Sequence, residues 1–307
     1  MKMKKLLAFA TALTGAMMFA SCNVSDDTRD ATTLAVRFTG EIGGQSSVTA
    51  ETRAAGTSWS SGDAIGVFMA AHGSATAAEG AANKKYTTVG NGTFVQAGGD
   101  IYYPVQGAVD FMAYYPYAES ATLGNIDVAI GNQNNQKDFD LLCAKADKNG
   151  QGYTKADATA PVALAFEHKL AKIVLNCKIG EGIGSLDGMT VKIKGMNSRN
   201  TFNLASGVLG TADTPADIET RRITAAQGYG ASYDAIVMPF SYNGNAVSVE
   251  FTVDGDTFVW TIDKAEDAKF EAGNEYTYDV TVTRHKVSIS ATIKPWVTND
   301  RGPVTAQ

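Results

Sequence analysis

The side chains best suited to catalysis or metal binding are few in this sequence and stand far apart. The three histidines, His72, His168 and His285, show no ligand-type spacing, so they predict no metal site. A segment starting at Asp147 begins like a calcium-binding loop, but Ala158 stands where the bidentate carboxylate is needed. No nucleophile motif or complete dinucleotide-binding loop is present. The sequence therefore predicts no catalytic residue, no metal and no cofactor, and a protein that is not an enzyme.

Cys22 predicts covalent chemistry of another kind. It follows a leader, residues 1–21, with three lysines, an apolar run and the small residues Ala20 and Ser21. The apolar run is too short to span a bilayer, which takes about 20 residues. This arrangement resembles the lipobox of bacterial lipoproteins, in which the cysteine becomes the lipidated N-terminus; an ordinary secretory cut is the other interpretation. Residues 25–27, Ser-Asp-Asp, resemble an acidic tag for the outer cell face. We therefore expect a lipid-anchored precursor at the outer membrane.

The charge of the mature chain excludes one class of partner. Loss of the three leader lysines from 26 Lys and Arg, against 32 Asp and Glu, changes the formal net charge from −6 to −9. Such a chain has no electrostatic basis for binding nucleic acid. Cys143 and Cys177 remain, and they either form a disulfide in the exported protein or are separately buried thiols.

The elements that must position any site are short strands. Runs of alternating apolar residues, rich in Val, Ile, Thr, Tyr and Phe, are separated by Gly, Asn and Asp, and Asp254-Gly255 predicts a tight hairpin. This pattern predicts an all-β chain of β-sandwiches. A polar stretch, residues 132–161, predicts the boundary between an N-terminal domain, residues 54–162 with the strand 33–42, and a C-terminal domain, residues 163–307.

The first strand is the most informative element. In residues 33–42, Leu34, Val36 and Phe38 fall on one face, and burying each is worth roughly 1.5–3 kcal/mol. The segment that follows is rich in Gly, Ser, Thr and Ala and has little to pack, which is typical of sites that proteases reach. Arg53 is its one arginine. The pattern predicts a buried strand joined to the body by a cleavable segment.

Three stretches then occur in a specific order. Residues 51–68 contain an arginine, a tryptophan and Gly-Asp before a β-run; "FMAYYPYAES" starts at Phe111 and "LAFEHKLAKIVLN" at Leu164; residues 270–296 end in "ATIKPW". With the lipobox in front, nearly the whole mature chain resembles the fimbrillin family, the lipoprotein subunits of type V pili. The resemblance implies two tandem transthyretin-like β-sandwich domains. It also implies a trypsin-like protease that cuts after an arginine, and assembly with other pilus subunits by strand exchange.

The resemblance implies that the cut falls between Arg53 and Ala54. It would remove residues 22–53, which carry the lipid, the first strand and the cleavable loop. A cut after Arg29 would release the lipid but leave the groove filled, and Arg37 lies inside the strand, where it should be protected. Cys22 would then be a temporary membrane tether. The mature subunit would then be part of an extracellular pilus.

The C-terminal segment bears on the role of the subunit. Val287, Ile289, Ala291 and Ile293 alternate and form a candidate donor strand, although the run also suits the last strand of the C-terminal sandwich. The residues after it make a poor donor, because Pro303 lacks a backbone N–H. This favours a subunit that mainly accepts a strand, as a tip or accessory fimbrillin would.

A tip position suggests adhesion to a receptor on a host or bacterial surface. The alternative function is a surface-exposed glycan-binding lipoprotein, for which Tyr114, Tyr115, Tyr117 and Trp260 could offer stacking faces. On strands, such aromatic residues more often pack in the core. An exported hydrolase is a third hypothesis without a supporting motif.

Overall fold

The computed structural model of the chain describes residues 33–43, 57–211, 215–242, 244, 247–262, 269–284 and 287–296. The predicted all-β class is confirmed: in these residues the helical segments are two short 3-10 helices, Gln133–Asp138 and Lys155–Thr159. No helix in the described ranges has the length and apolar character needed to cross a membrane. Cys22, Arg53 and Ala54 lie outside the described residues.

Strands β1 to β8 make up the first half of the described chain. Seven of them close into a barrel in the order β1-β4-β3-β2-β5-β7-β8. Their bounds are β1 Phe38–Ile42, β2 Ser61–Ala71, β3 Lys84–Val89, β4 Thr93–Gln96, β5 Val109–Tyr115, β6 Ile126–Ala129, β7 Leu142–Ala146 and β8 Val162–His168.

Closure of the barrel depends on β1. This strand runs parallel to β8 over five residue pairs, from Phe38 opposite Val162 to Ile42 opposite Phe166. On its other side β1 runs antiparallel to β4, with Phe38 opposite Phe94. Because these two pairings join the ends of the sheet, the seven strands form one sheet closed on itself and β1 has a backbone partner on each side.

Strands β9 to β21 make up the second half. A sheet ordered β13-β10-β17-β18 and a sheet ordered β14-β15-β9-β20-β21 supply the inward side chains of one shared core. Two further small sheets are β16-β19 and β12-β11-β6. The bounds are β9 Ala171–Ile179, β10 Thr190–Asn197, β11 Arg199–Asn203, β12 Val208–Leu209, β13 Pro215–Glu219, β14 Arg221–Ile223, β15 Ala231–Val237, β16 Phe240–Ser241, β17 Val247–Val253, β18 Asp256–Ile262, β19 Lys269–Phe270, β20 Asn274–Val282 and β21 Val287–Pro295.

The change from the barrel to the second half falls between His168, the end of β8, and Ala171, the start of β9. The boundary expected at residue 162 is therefore too early, because β8 begins there and pairs with β1 and β7. The alternating pattern of β8 is the same as that of β9, so composition alone did not show where one sheet ends.

The two halves share a third apolar cluster and one small sheet. β6 of the first half pairs with β11 of the second. The shared cluster is buried between strands of both halves, and it includes Phe68, Met112, Tyr114 and Leu141 from the first and Phe202, Ile236, Met238 and Trp296 from the second. As a result β5 and β15 are buried along their whole length, on both faces.

A buried polar network accompanies this junction. The Asp234 carboxylate on β15 accepts two hydrogen bonds from the Arg221 guanidinium, at 2.9 and 2.6 Å. It also accepts one from the Gln136 amide of the first half at 3.1 Å. Asp234 is 2% exposed, so these donors replace the water that the carboxylate has lost. The network ties the first 3-10 helix to β15.

Replacing Asp234 tests how much this network stabilises the fold. Asp234→Ala leaves the Gln136 amide and the Arg221 guanidinium without their shared acceptor, so we expect the free energy of unfolding to fall by about 3–5 kcal/mol. Urea denaturation followed by circular dichroism measures the loss. The matched control is Glu250→Ala, whose partner Lys194 lies at 3.2 Å on the surface, and its expected loss is below about 1 kcal/mol. Equal losses for the two variants would contradict a structural role for Asp234.

Candidate functional site

The inner face of β1 and its flanking residues fill the barrel core. Val36 is 2% exposed and Phe38 1%, and Ile42 is equally buried. The Phe38 ring meets the rings of Tyr86 and Phe111 edge to face, at centroid distances of 5.0 and 5.3 Å. Such pairs add to the free energy gained from area burial alone. A strand with these contacts is part of the core of the first half.

Leu34 does not share this environment. The expectation that it is buried with Val36 and Phe38 is wrong, since its side chain is 42% exposed. The Leu34 carbonyl accepts a hydrogen bond from Tyr103, but Leu34 lies outside the register that pairs β1 with β8. The inward residues are instead Val36, Phe38, Gly40 and Ile42.

Backbone hydrogen bonds hold this segment on both sides. The Val36 N–H donates to the Ile101 carbonyl at 2.8 Å, and the Gly40 N–H donates to Gly92 at 2.8 Å. On the other side, the Arg37 carbonyl accepts from Val162 at 2.8 Å. The Arg37 guanidinium reaches the Thr159 carbonyl at 2.8 Å, so this arginine, expected to be protected, is bonded through both its backbone and its side chain.

Gly40 packs directly against aromatic rings of the barrel core. A Cβ added to Gly40 would stand 2.8 Å from Cε2 of Phe94 and 2.9 Å from Cε2 of Phe166. The indole N–H of Trp59 donates to the Gly40 carbonyl at 2.8 Å. The Trp59 ring meets Phe94, Phe166 and Tyr115 edge to face. We call the space that β1 occupies between β4 and β8, lined by these four aromatic residues with Tyr86 and Phe111, the β1 groove.

The lining of the groove is apolar and uncharged. Burial raises the pKa of Tyr86 to about 12 and that of Tyr103 to about 12, so both phenols stay neutral in physiological conditions. The Tyr86 hydroxyl accepts a hydrogen bond from the Ile101 N–H at 3.1 Å. A strand in this groove therefore meets aromatic and aliphatic surface and backbone groups rather than charges.

The candidate donor residues Val287, Ile289, Ala291 and Ile293 lie on β21, at the edge of the second-half sheet. β21 pairs with β20 over nine residue pairs. Val287 and Ile289 are half-buried, Ala291 is exposed, and Ile293 is 63% exposed. In this structure the run serves as the last strand of its own sheet.

Trp296 fastens the end of β21. Its ring stacks on the His168 imidazole at a centroid distance of 3.8 Å, and the Trp296 backbone N–H donates to the Gly273 carbonyl at 2.8 Å. His168 in turn bonds the buried Asp140 carboxylate at 3.1 Å. The β21 terminus is therefore tied to the junction between the halves.

The residues that could offer other chemistry are mostly buried. Tyr114 and Tyr115 are 0% and 3% exposed, so neither offers a stacking face to a sugar, whereas Tyr117 and Trp260 are half-buried. In the described ranges, no three His, Cys, Asp or Glu side chains gather as they would around a metal ion.

The two cysteines are separate buried thiols. Cys143 lies on β7 of the barrel and Cys177 on β9 of the second half, and both are free. Burial raises the pKa of both thiols, that of Cys177 to about 12. Neither is therefore a reactive thiolate at neutral pH.

Sequence reasoning did not identify Gly40, Trp59, Phe94 or Phe166 as residues of the groove, although Trp59 was part of the family resemblance. One signal was available for the glycine. It falls on the apolar face of the strand, and a glycine in a strand interior often marks a close approach of another group. The aromatic partners are brought together from β4, β8 and the residues before β2, which no local pattern indicates.

Comparisons with known proteins agree with this architecture. The sequence profile of the fimbrillin-like family matches residues 52–296. A Bacteroides uniformis protein provisionally named fimbrium subunit Fim1C is 34% identical over 273 residues, which is 85% of this chain and 86% of that protein.

Solved structures show the same relationship. A crystal structure from Bacteroides uniformis, provisionally assigned to cell adhesion, superposes with a TM-score of 0.68 at 30% identity and covers 86% of this chain and 98% of its own. The tip fimbrial protein Mfa3 from Porphyromonas gingivalis, truncated at its C-terminus, gives a TM-score of 0.52 at 11% identity, covering 77% of this chain and 95% of its own. This last similarity concerns the fold alone.

Phe38 and Leu34 provide a direct test of which side chains hold the first strand. We expect Phe38→Ala to lower the free energy of unfolding by about 3–5 kcal/mol, because it leaves a cavity between Tyr86 and Phe111. Leu34→Ala should cost less than about 1 kcal/mol, because much of that side chain is already in water. Urea denaturation of both variants measures the difference. A loss for Leu34→Ala as large as that for Phe38→Ala would contradict the assignment of the inward face.

Proposed function

The chain belongs to the fimbrillin-like family and is a fimbrial, cell-adhesion subunit, and we propose that it assembles by accepting a strand in place of β1. Family membership also indicates a protein that is not an enzyme, that works with other pilus subunits and that is found in an extracellular pilus. The two halves would be the tandem transthyretin-like domains that the family resemblance implies. The lipid anchor, the processing protease and the receptor are parts of this proposal.

The observation that carries the proposal is the place of β1 in the barrel. β1 closes the sheet through β4 on one side and β8 on the other, and its inward residues fill the core. It is also the strand directly before the segment that contains Arg53. A cut after Arg53 would sever the chain between β1 and the rest of the barrel, and loss of β1 would open the barrel.

Departure of β1 would be energetically unfavourable unless another strand takes its place. It exposes the aromatic lining of the groove and leaves the facing backbone groups of β4 and β8 unpaired. Each unpaired buried group costs about 1–3 kcal/mol. A strand from another subunit relieves both costs by β-augmentation, running parallel to β8 and antiparallel to β4 as β1 does.

The role of tip or accessory subunit is supported by the other end of the chain. β21 is paired along nine residues and Trp296 is 6% exposed on His168, so the candidate donor strand is fastened within its own subunit. A subunit that keeps its last strand accepts without donating. Adhesion to a host or bacterial surface receptor would follow from a position at the tip.

Cys22 would tether the precursor to the outer membrane through a lipid. Because Cys22 precedes β1, a cut at Arg53-Ala54 removes the lipid and the strand together. A trypsin-like protease would make this cut during assembly.

Limited trypsin digestion of the mature chain tests the proposed cut. We expect a stable product whose N-terminal sequence starts at Ala54, because Arg53 lies in a segment of small polar residues whereas Arg37 is bonded to Val162 and Thr159. Arg53→Ala should remove this product, and Arg37→Ala should leave it unchanged. N-terminal sequencing and mass spectrometry identify the fragments.

The same digest separates the pilus proposal from the glycan-binding alternative. Trimmed protein that has lost its first strand should form, with other pilus subunits that supply a strand, complexes that withstand mild SDS treatment. A protein that keeps this strand after digestion, stays monomeric and is retarded in gels containing polysaccharide would instead be a glycan-binding lipoprotein.

Trp59→Phe tests how the first strand is held after cleavage. The change keeps an aromatic ring but removes the N–H that donates to Gly40. We therefore expect the free energy that binds the cut first strand to the body to fall by about 1–2 kcal/mol, which raises its dissociation constant about 5- to 30-fold. The measurement is the fraction of the N-terminal fragment that stays with the trypsin-cut protein after gel filtration. Trp260→Phe, in β18 of the second half, is the control. An unchanged fraction for Trp59→Phe would show that this hydrogen bond does not retain β1.

A further inference from the structure

The β1 groove imposes a size limit at one position, and this limit bears on which strands it can accept. Gly40 has an ordinary backbone conformation rather than a left-handed one. Glycine is therefore not needed there for its φ angle. What excludes a side chain is the pair of Phe94 and Phe166 ring edges, which would stand 2.8 and 2.9 Å from a Cβ.

These ring edges have little room to withdraw. Phe94 is 4% exposed and Phe166 0%, and the Trp59 ring stands against both at centroid distances of 5.1 and 5.0 Å. Trp59 is itself fixed by its hydrogen bond to the Gly40 carbonyl. Displacing one ring therefore disturbs the others, as expected in a close-packed interior.

All three rings lie on the C-terminal side of Arg53 and would remain in the subunit after the proposed cut. The size limit is thus a property of the acceptor and not of the departing strand. Trp59, which is 8% exposed, would also remain, and its side-chain N–H would need a new acceptor.

We propose that the β1 groove selects, from another pilus subunit, a strand whose third inward residue is glycine or, with a small adjustment, alanine. This inference rests on the proposed strand exchange. The strand carries large apolar residues at the positions that correspond to Val36, Phe38 and Ile42. Its backbone carbonyl at the position that corresponds to Gly40 accepts a hydrogen bond from the Trp59 N–H. A β-branched residue at that step is rejected.

The candidate donor strand of this chain falls within the limit. Its alternating apolar series is Val287, Ile289, Ala291 and Ile293, with alanine at the third position. The size requirement alone therefore does not distinguish a second copy of this chain from another subunit that has glycine at this step.

Peptide exchange into the trypsin-cut full chain tests the selectivity. Labelled peptides of residues 33–43 carry glycine, alanine or valine at position 40, and a fourth carries Thr39→Val on the outward face. We expect the glycine and Thr39→Val peptides to replace the native strand equally, the alanine peptide a few-fold less well, and the valine peptide at least about tenfold less well. Equal exchange of the valine and glycine peptides would overturn the proposal.

A compensating variant separates the steric limit from a general loss of strand-forming tendency. Phe94→Leu removes one of the two ring edges, so it should narrow the difference between the glycine and valine peptides. If the difference stays the same in Phe94→Leu, the ring edges do not set the limit.

A second measurement makes the size limit testable without strand exchange. If even the glycine peptide fails to exchange, the proposed function is contradicted, and the limit is then judged from the intact chain. Gly40→Val should lower the thermal unfolding midpoint by at least about 4 °C, whereas Thr39→Val should leave it nearly unchanged. A Gly40→Val chain as stable as the unsubstituted one would overturn the size limit itself.

Discussion

The pairing of β1 with β8 is the constraint on which the first half depends. Parallel pairing joins residues 38–42 to residues 162–166, at opposite ends of the first half, and turns an open sheet into a closed barrel. All the other neighbouring strands of the barrel pair antiparallel. Closure buries Phe38 among Tyr86 and Phe111, so the strand contributes both edge pairing and core volume.

The junction between the halves gives the barrel one strand, β5, that is buried on both faces. β5 presents Phe111 to the barrel core and Met112 to the shared cluster, so both of its faces are dry. β15 plays the same part in the second half, with Asp234 satisfied by Arg221 and Gln136. Loss of β1 would therefore expose the groove without separating the two halves. A groove that keeps its shape can accept a strand of a defined pattern.

Sequence patterns gave the strands and the inward face at Val36 and Phe38, because period-two alternation is a local property. The exposure of Leu34 did not follow from alternation, which gives the face of a strand but not where its neighbour begins. The pairing of β1 with β8 joins residues more than a hundred positions apart, and nothing local specifies it. The ring contacts at Gly40 depend on that pairing, so they could not be predicted from the sequence.

The two ends of the described chain are held by different forces, and this difference favours one direction of assembly. β1 is held by backbone pairing on both sides and by side chains that another strand of the same pattern can reproduce. β21 has β20 on one side only, but Trp296 stacks on the buried His168, and removal of β21 would leave that imidazole without its covering ring. The contacts of β1 could therefore be reproduced by another strand, whereas those at the end of β21 depend on Trp296 and His168. Under the proposed strand exchange, such a subunit would lose its first strand and retain its last.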